Sequence, residues 1–510
     1  MNTTKKIVVI GAGISGMTAG IYALDNGYDV TIVERHTIAG GQCTGWTRKG
    51  TFIDGCAHWI VGTNPNSKLN PLWRHIGAID DNTVIHETEY FCKYYYEGEV
   101  FTVYADLKKL KAEMLRVAPQ DKRMINNFIR HVKAYRHVQI PVKKPLDKMN
   151  FFELTHFGFQ MLPMAIQFGI AKHTSSAAYA AKFKSPILRY AFSNVLGADY
   201  NIHSFYYVMQ ALSLNDAGMI EGGSKAIADR VKATFLKKGG NLVLGNGAKK
   251  IIVENDTAKG VVLEDGREIQ ADYVISSADV HHTLHTLLDS KYDENFYKDR
   301  FSNRNDYPLN ACMLVCFRTK KNVDNQPKMI SYKMNKTYVV GRNSLDFCSI
   351  RNHSFDKTLN SDWTSVNVLL QVDDSAYRYL KGLTREDYLE FKRQTGEFFR
   401  EQVAECYGLE VNDLEVLDVT TPLTYERYVN SYHGSYMSFI TTARSHGLIG
   451  PSTIKGLKNF VLCGQWIMPP GGLPVALFTG KHAAAYVCYM DRKKFLSFDR
   501  RKHHHHAAIS

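Results

Sequence analysis

The stretch from residue 7 to residue 34 restricts this 510-residue chain more than any other. Ile7-Val8-Val9-Ile10 is a short apolar, β-branched run of the kind found in buried parallel strands. Gly11-Ala12-Gly13-Ile14-Ser15-Gly16 follows at once, residues 17–26 read as a helix stopped by Gly27, and Asp29-Val30-Thr31-Ile32-Val33 makes a second strand ending in Glu34. Strand, glycine turn, helix, strand and acid together form a dinucleotide-binding fingerprint. Gly11 permits a tight turn, Gly13 lets backbone approach a pyrophosphate, and Gly16 lets helix and strand pack closely. The helix N-terminus then turns free N–H groups and a partial positive charge toward the phosphates. Glu34 is placed to hydrogen-bond a ribose hydroxyl, which argues against a 2′-phosphate and favours FAD or NAD over NADP.

The length allows two or three domains around a large core. Lys and Arg number 63 against 50 Asp and Glu, a balance of +13, yet no basic block dominates and no nucleic-acid motif is visible, so nucleic acid is not an expected partner. The 29 Tyr and 26 Phe are more telling, because they can line a large apolar pocket. Nine cysteines are scattered without CxxC or metal-ligand spacing, which fits a reducing cytoplasm and predicts no metal. Cys312 and Cys316 read as two positions on one face of a strand. Residues 2–6 are too few for a secretory signal, so a cytoplasmic location is expected. The His-rich end, residues 503–506, is set aside.

Glycines recur at Gly40-Gly41-Gln42-Cys43-Thr44-Gly45 and from Gly50 to Gly55, where backbone must lie close to itself or to a ligand. Strands are expected around 90–96 and 100–104, with helices from about Leu107. Residues 154–171 form the longest apolar run, without a charged residue but short of the ~20 that a bilayer span needs. This run reads either as a buried or lid helix, or as an interfacial helix dipping into a membrane. Gly222-Gly223-Ser224 opens a further helix, strands follow at 241–244, 251–254, 260–263 and 271–278, and residues 286–450 alternate strands with one clear helix over 385–407. Near the end a strand meets Gly464, and Pro469-Pro470-Gly471-Gly472-Leu473-Pro474 leads into a last helix. No second strand–GxGxxG–helix unit occurs.

Taken together, the fingerprint, Gly40-Gly41, Phe52-Ile53-Asp54-Gly55, Gly222-Gly223-Ser224, Val262-Leu263-Glu264-Asp265-Gly266, Thr421-Pro422-Leu423-Thr424 and residues 464–480 resemble the phytoene desaturase superfamily of flavoproteins. That superfamily includes bacterial carotenoid desaturases, carotenoid isomerases and retinol saturases, and the resemblance covers nearly the whole chain. It implies an α/β protein with a discontinuous Rossmann-like FAD-binding domain, from residues 1–75, 220–285 and 455–495. An α+β substrate domain with a mixed sheet and helical lid would take 76–219 and 286–454, leaving 496–510 as a tail. It also implies that FAD contacts Gly11, Gly13, Ile14, Ser15, Gly16, Glu34, Arg35, Gly40, Gly41, Gln42, His58, Ala248, Gly464, Gln465, Gly472, Leu473, Pro474 and Val475. Two positions depart from the superfamily's pattern: Gln42 stands where an Arg usually follows the glycine pair, and Gln465 where an acid often follows the glycine.

The expected activity is FAD-dependent oxidation or reduction at carbon–carbon bonds of an apolar isoprenoid or polyene-type lipid, by desaturation, saturation or isomerisation. NAD(P) is open as an external reductant, although no second dinucleotide site is visible. An amine-oxidase-like flavoenzyme and a non-catalytic binder of prenyl or lipid groups, of the escort or dissociation-inhibitor type, share the architecture and are the alternatives. No catalytic residue is assigned; His58, Arg427, His433 and Trp466 are polar or aromatic candidates near the matched segments. Because such a lipid must be collected from a bilayer, residues 154–171 and the basic surface are expected to dock peripherally on a membrane.

Overall fold

The computed structural model describes residues 4–56, 59–138, 140–292, 294–359, 362–447 and 449–499. Lys6–Ile10 lies near the middle of a five-stranded parallel sheet, in the order Asn241–Leu244, Asp29–Glu34, Lys6–Ile10, Tyr273–Ser276, Phe460–Leu462. Val8, Val9, Val274, Ile275, Phe460 and Val461 are fully buried, as expected of strands covered on both faces. The first helix is longer than the sequence reading gave. It runs Ile14–Asp25, because Gly13 at φ −69° and ψ 174° is its N-cap and the glycine turn passes straight into the helix. Leu473–Met490 crosses this helix closely enough that a Cβ at Gly480 would lie 2.4 Å from the Ser15 carbonyl oxygen. A three-stranded antiparallel sheet, Ala248–Glu254, Thr257–Leu263 and Glu268–Gln270, lies in sequence between the parallel-sheet strands Asn241–Leu244 and Tyr273–Ser276.

A second, larger mixed sheet follows the order Glu415–Thr420, Leu309–Thr319, Thr364–Val372, Asn343–Asn352, Met329–Val340, Tyr90–Tyr96, Glu99–Tyr104, with Ser435–Phe439 also pairing Leu309–Thr319. All pairs are antiparallel except Met329–Val340 with Tyr90–Tyr96. Leu309–Thr319 shows the period of two. Met313, Val315 and Phe317 pack on Phe399 and Val403 of helix Arg385–Tyr407, while Cys312, Leu314 and Cys316 face Ile53. All nine cysteines are free thiols. Three helices not read from the sequence also lie in this part: Asn295–Ser302, Asp374–Lys381 and Pro422–Val429. Each is a short element of eight residues, below the length at which periodicity separates a helix from a buried strand.

A helical layer, including Lys122–Ala134, Pro186–Asn194 and Ile202–Ser213, is knit by aromatics, with Phe128 and Phe192 at a centroid distance of 4.8 Å and Phe192 and Phe205 at 5.2 Å. Beside it runs Phe151–Ala171, started by a capping box between Asn150 and Glu153. This helix is not buried. Phe151, Phe152, Phe159, Leu162 and Ile166 are all more than half or about half exposed. Among the described residues no helix is long and apolar enough to cross a membrane. Leu496 and Asp499, within the stretch set aside as a tail, are tied down: Leu496 N–H donates to Asn26 Oδ1 at 2.8 Å, and Lys481 donates to Asp499 at 2.8 Å.

Candidate functional site

The parallel strands point their C-terminal ends at one cavity of about 1360 Å³, the edge at which open α/β sheets bind ligands. Gly11, at φ +95°, turns the chain there, and its N–H donates to the Val33 carbonyl at 2.8 Å. Gly40 N–H donates to the Ala12 carbonyl at 2.8 Å, which lays the Gly40-Gly41 loop against Gly13. A Cβ on Gly16 would sit 2.0 Å from the Gly11 carbonyl oxygen, so Gly16 serves the packing of the turn and is not part of the cavity wall. A Cβ on Gly13 would meet no protein atom within 4 Å. Gly11, Gly13, Ile14 and Ser15 line the cavity.

Glu34 also lines it, and its two oxygens accept the Ala12 and His36 N–H groups, each at 2.8 Å. The acid therefore fastens the glycine turn as well as facing the cavity. Arg35 reaches Glu264 at 3.6 Å beside Ala248. On the opposite side come Gly464, Gln465 and the start of Leu473–Met490, with Gly472, Leu473, Pro474 and Val475 in the wall. Gly464 N–H is held by Thr479 Oγ1 at 3.0 Å. Gln465 Nε2 donates to Gln42 Oε1 at 3.4 Å, and Gln42 Nε2 donates to the Ser435 carbonyl at 2.8 Å. The predicted residues Gly11, Gly13, Ile14, Ser15, Glu34, Arg35, Gly40, Gly41, Gln42, Ala248, Gly464, Gln465, Gly472, Leu473, Pro474 and Val475 thus share one cavity. His58 lies outside the described residues.

The segment at Gly222 does not reach the cavity lining. A Cβ on Gly223 would lie 2.5 Å from Asp54 Oδ2, and the Ser224 N–H donates to that oxygen, so the glycines make room for a buried carboxylate. Of the other candidates, Trp466 lines the cavity and packs on Phe301 and Phe439. His433 instead stacks on Tyr377 at 4.5 Å, 3.5 Å from Asp374, and Arg427 lies over the Tyr428 ring; neither is in the wall.

Several wall residues escaped the sequence reading. Ser277 Oγ donates toward the carbonyls of Ile10 and Gly11, at 3.0 and 2.9 Å, and pins the turn from the neighbouring strand. Asp279 accepts the N–H groups of His281, His282 and Tyr432, yet burial pushes its carboxyl up to about 6. Their signal was positional: both sit just past the end of strand Tyr273–Ser276, at the C-terminal edge of the sheet. Burial also pushes the Arg351 guanidinium down to about 10, which leaves it charged at neutral pH, and burial and Arg351 together hold His353 down at about 4. Beyond the cradle the wall turns apolar and aromatic. Phe347 and Ser349, with Arg351, come from alternate positions of one strand, and Phe157, Met161 and Met164 from the inward face of helix Phe151–Ala171. Among the described residues no group of His, Cys, Asp and Glu is arranged to hold a metal ion.

A model of the flavin containing amine oxidoreductase family matches residues 14–488, and the chain belongs to that family. Among curated proteins it is 30% identical over 317 residues to a phytoene desaturase (neurosporene-forming) of Rhodobacter capsulatus, a match spanning 58% of either chain, so the chain covers little more than half the length of that relative. It is 22% identical over 523 residues, 97% of both chains, to a 4,4'-diapophytoene desaturase (4,4'-diapolycopene-forming) of Methylomonas sp. A solved oxidoreductase from Methanosarcina mazei superposes over 93% of this chain and 99% of its own at TM-score 0.61 and 15% identity, a likeness of fold.

Proposed function

We propose that the protein is an FAD-dependent oxidoreductase acting on carbon–carbon bonds of an apolar isoprenoid or polyene-type lipid. The observation that carries this reading is the continuity of one cavity, from the glycine cradle of the parallel sheet to an apolar wall under helix Phe151–Ala171. At about 1360 Å³ it exceeds the roughly 300–1,000 Å³ of a site for one small ligand, and leaves room for a dinucleotide and an apolar second occupant. The residues fit FAD. Gly13 is spared a side chain that no protein atom would obstruct, the N-terminus of Ile14–Asp25 is turned to the cavity, and Glu34 faces the place of a ribose. When bound, flavin supplies the two-electron chemistry.

This chain's own residues would bind and orient. The amides of Gln42 and Gln465 border the cavity beside the start of Leu473–Met490, whose helix dipole favours negative charge there. Phe157, Met161, Met164 and Phe347 exclude water and offer no polar partner to a substrate carbon chain. In this reading the FAD domain is assembled from residues 1–75, 220–285 and 455–495, and the substrate domain from the rest up to 454. The relatives named as desaturases of phytoene and diapophytoene support the substrate class.

The outer face of helix Phe151–Ala171 would dock on a membrane. Burying side chains such as Phe151, Phe152 and Phe159 at roughly 1.5–3 kcal/mol each when fully immersed, less when partly so, gives a reversible attachment. Anaerobic incubation of the flavin-loaded protein with lipid extracts, following the flavin spectrum and product mass together, tests the activity. Flavin reduction or reoxidation coupled to a two-hydrogen mass change, or isomerisation at constant mass, is expected. Turnover of simple amines with peroxide release, and none of lipids, would overturn it.

A further inference from the structure

Among the described residues, the cavity wall contains a buried arginine that forms no salt bridge with any carboxylate. Arg351 sits in strand Asn343–Asn352, opposite Met329 on one side and Asn367 on the other, and is 9% exposed. Its Nε and Nη1 atoms are buried and have no hydrogen-bond partner among the described residues. The other arginines of the wall are paired, Arg35 with Glu264 at 3.6 Å and Arg48 with Asp418 at 3.1 Å. Asp54 lies near enough to attract Arg351 electrostatically but forms no salt bridge with it, its oxygens taking the backbone N–H groups of Cys56 and Ser224. A chamber of about 20 Å³ on the other side, bounded by Asp54 and Asp356, is large enough for one water, which would satisfy a donor but not the charge.

A buried guanidinium whose N–H groups lack a hydrogen-bonded counterion is costly, and it is the cation best shaped to receive two oxygens of one planar anion. A single arginine balances one negative charge, so a phosphate or diphosphate would arrive under-neutralised in this apolar wall, whereas a carboxylate would not. Ser349, two positions back on the same face, adds a hydroxyl beside it. We propose that Arg351 anchors a carboxylate at one end of an otherwise apolar substrate, so that the cavity takes a polyene acid in preference to the plain hydrocarbon. This rests on the lipid-oxidoreductase reading above and narrows it.

Equilibrium binding to the flavin-loaded protein separates the two ideas. The probes are all-trans-retinoate, the hydrocarbon of the same skeleton, palmitate and farnesyl diphosphate, each delivered in the same detergent, with Kd taken from flavin difference spectra and equilibrium dialysis. Wild type should bind retinoate at least tenfold tighter than the hydrocarbon. Arg351→Met should lose at least tenfold for retinoate and less than twofold for the hydrocarbon, at unchanged flavin content and thermal midpoint, and Arg351→Lys should fall between. If Arg351→Met does not fold, the wild-type preference and the Arg351→Lys series decide. Equal binding of acid and hydrocarbon by wild type, a preference retained in Arg351→Met, or tighter Arg351-dependent binding of farnesyl diphosphate overturns the anchor. A shift in flavin reduction potential with ligand affinities unchanged also overturns it, by assigning Arg351 to the flavin. Arg351-dependent binding of palmitate without binding of either polyene keeps the anchor and sinks the polyene reading.

Discussion

Gln465 hands a side-chain N–H to Gln42 across the mouth of the glycine cradle, 3.4 Å from nitrogen to oxygen, and Gln42 passes its own N–H to the Ser435 carbonyl at 2.8 Å. The two positions at which the chain departs from the pattern it resembles are therefore one departure. A charged residue at either position alone would face a neutral amide in a partly buried place. Gln42→Arg and Gln465→Glu should each lower the thermal midpoint and the flavin content of the purified protein. The double variant should recover much of both, with a coupling of roughly 1–3 kcal/mol in a double-mutant cycle. Simple additivity would show that the contact carries no energy.

The three fingerprint glycines answer to different neighbours. A Cβ on Gly16 collides with the Gly11 carbonyl, while one on Gly13 meets open space. Gly16→Ala should therefore reduce soluble yield and thermal stability outright. Gly13→Leu should leave a folded protein, by circular dichroism and unfolding midpoint, that has lost its yellow colour. A folded Gly13→Leu protein with full flavin content would mean that no ligand approaches the backbone there.

Helix Phe151–Ala171 spends one face on the cavity and leaves the other to solvent, with Phe159 71% and Leu162 50% exposed. Wild type should float with anionic liposomes and the Phe159→Asp, Leu162→Asp double variant should not, at equal unfolding midpoints. Equal flotation of the two, or none for wild type, would remove this helix from any membrane role.

Burial holds His482 down at about 3, with Lys481 beside it adding to the effect. The folded state thus keeps the ring neutral where the unfolded chain, with a pKa near 6.5, takes up a proton. The stability due to this group is whole above pH ~6.5 and is lost as pH falls toward its folded value, with a slope of about 1.4 kcal/mol per pH unit for one proton. His482→Gln should flatten the fall in denaturation midpoint between pH 6.5 and 4 by one proton's worth. The difference between the two proteins isolates this histidine from Asp54, Asp216 and Asp279, whose carboxyls burial raises to about 6 and which act in the opposite sense.

The opening unit was readable because every link in it is local: β-branched strand, glycine turn, helix and acid lie within a few turns of chain. The same holds for helix Arg385–Tyr407, long enough for its period to show, and for Cys312 and Cys316, which share a face as the alternation of a strand requires. Arg351 was not readable, since its isolation depends on what Asp54, a distant residue in sequence, does with its oxygens. The exposure of helix Phe151–Ala171 was legible only as one of two alternatives. An apolar run does not say whether its outer face meets protein, and here one side contacts the cavity while the other does not.

The parallel sheet draws its strands from the beginning, the middle and nearly the end of the chain, and the cradle is finished only by Gly472 to Val475. A ribosome makes these pieces in order, so Lys6–Ile10 waits for its Tyr273–Ser276 neighbour until well over two hundred further residues have emerged, and the cofactor pocket cannot close before Val475 has followed. Products cut short anywhere upstream of residue 473 would leave the ribosome colourless, however well their first domainful of chain had collapsed. In a culture making this protein, yellow would count the molecules extended past the cradle's last residues.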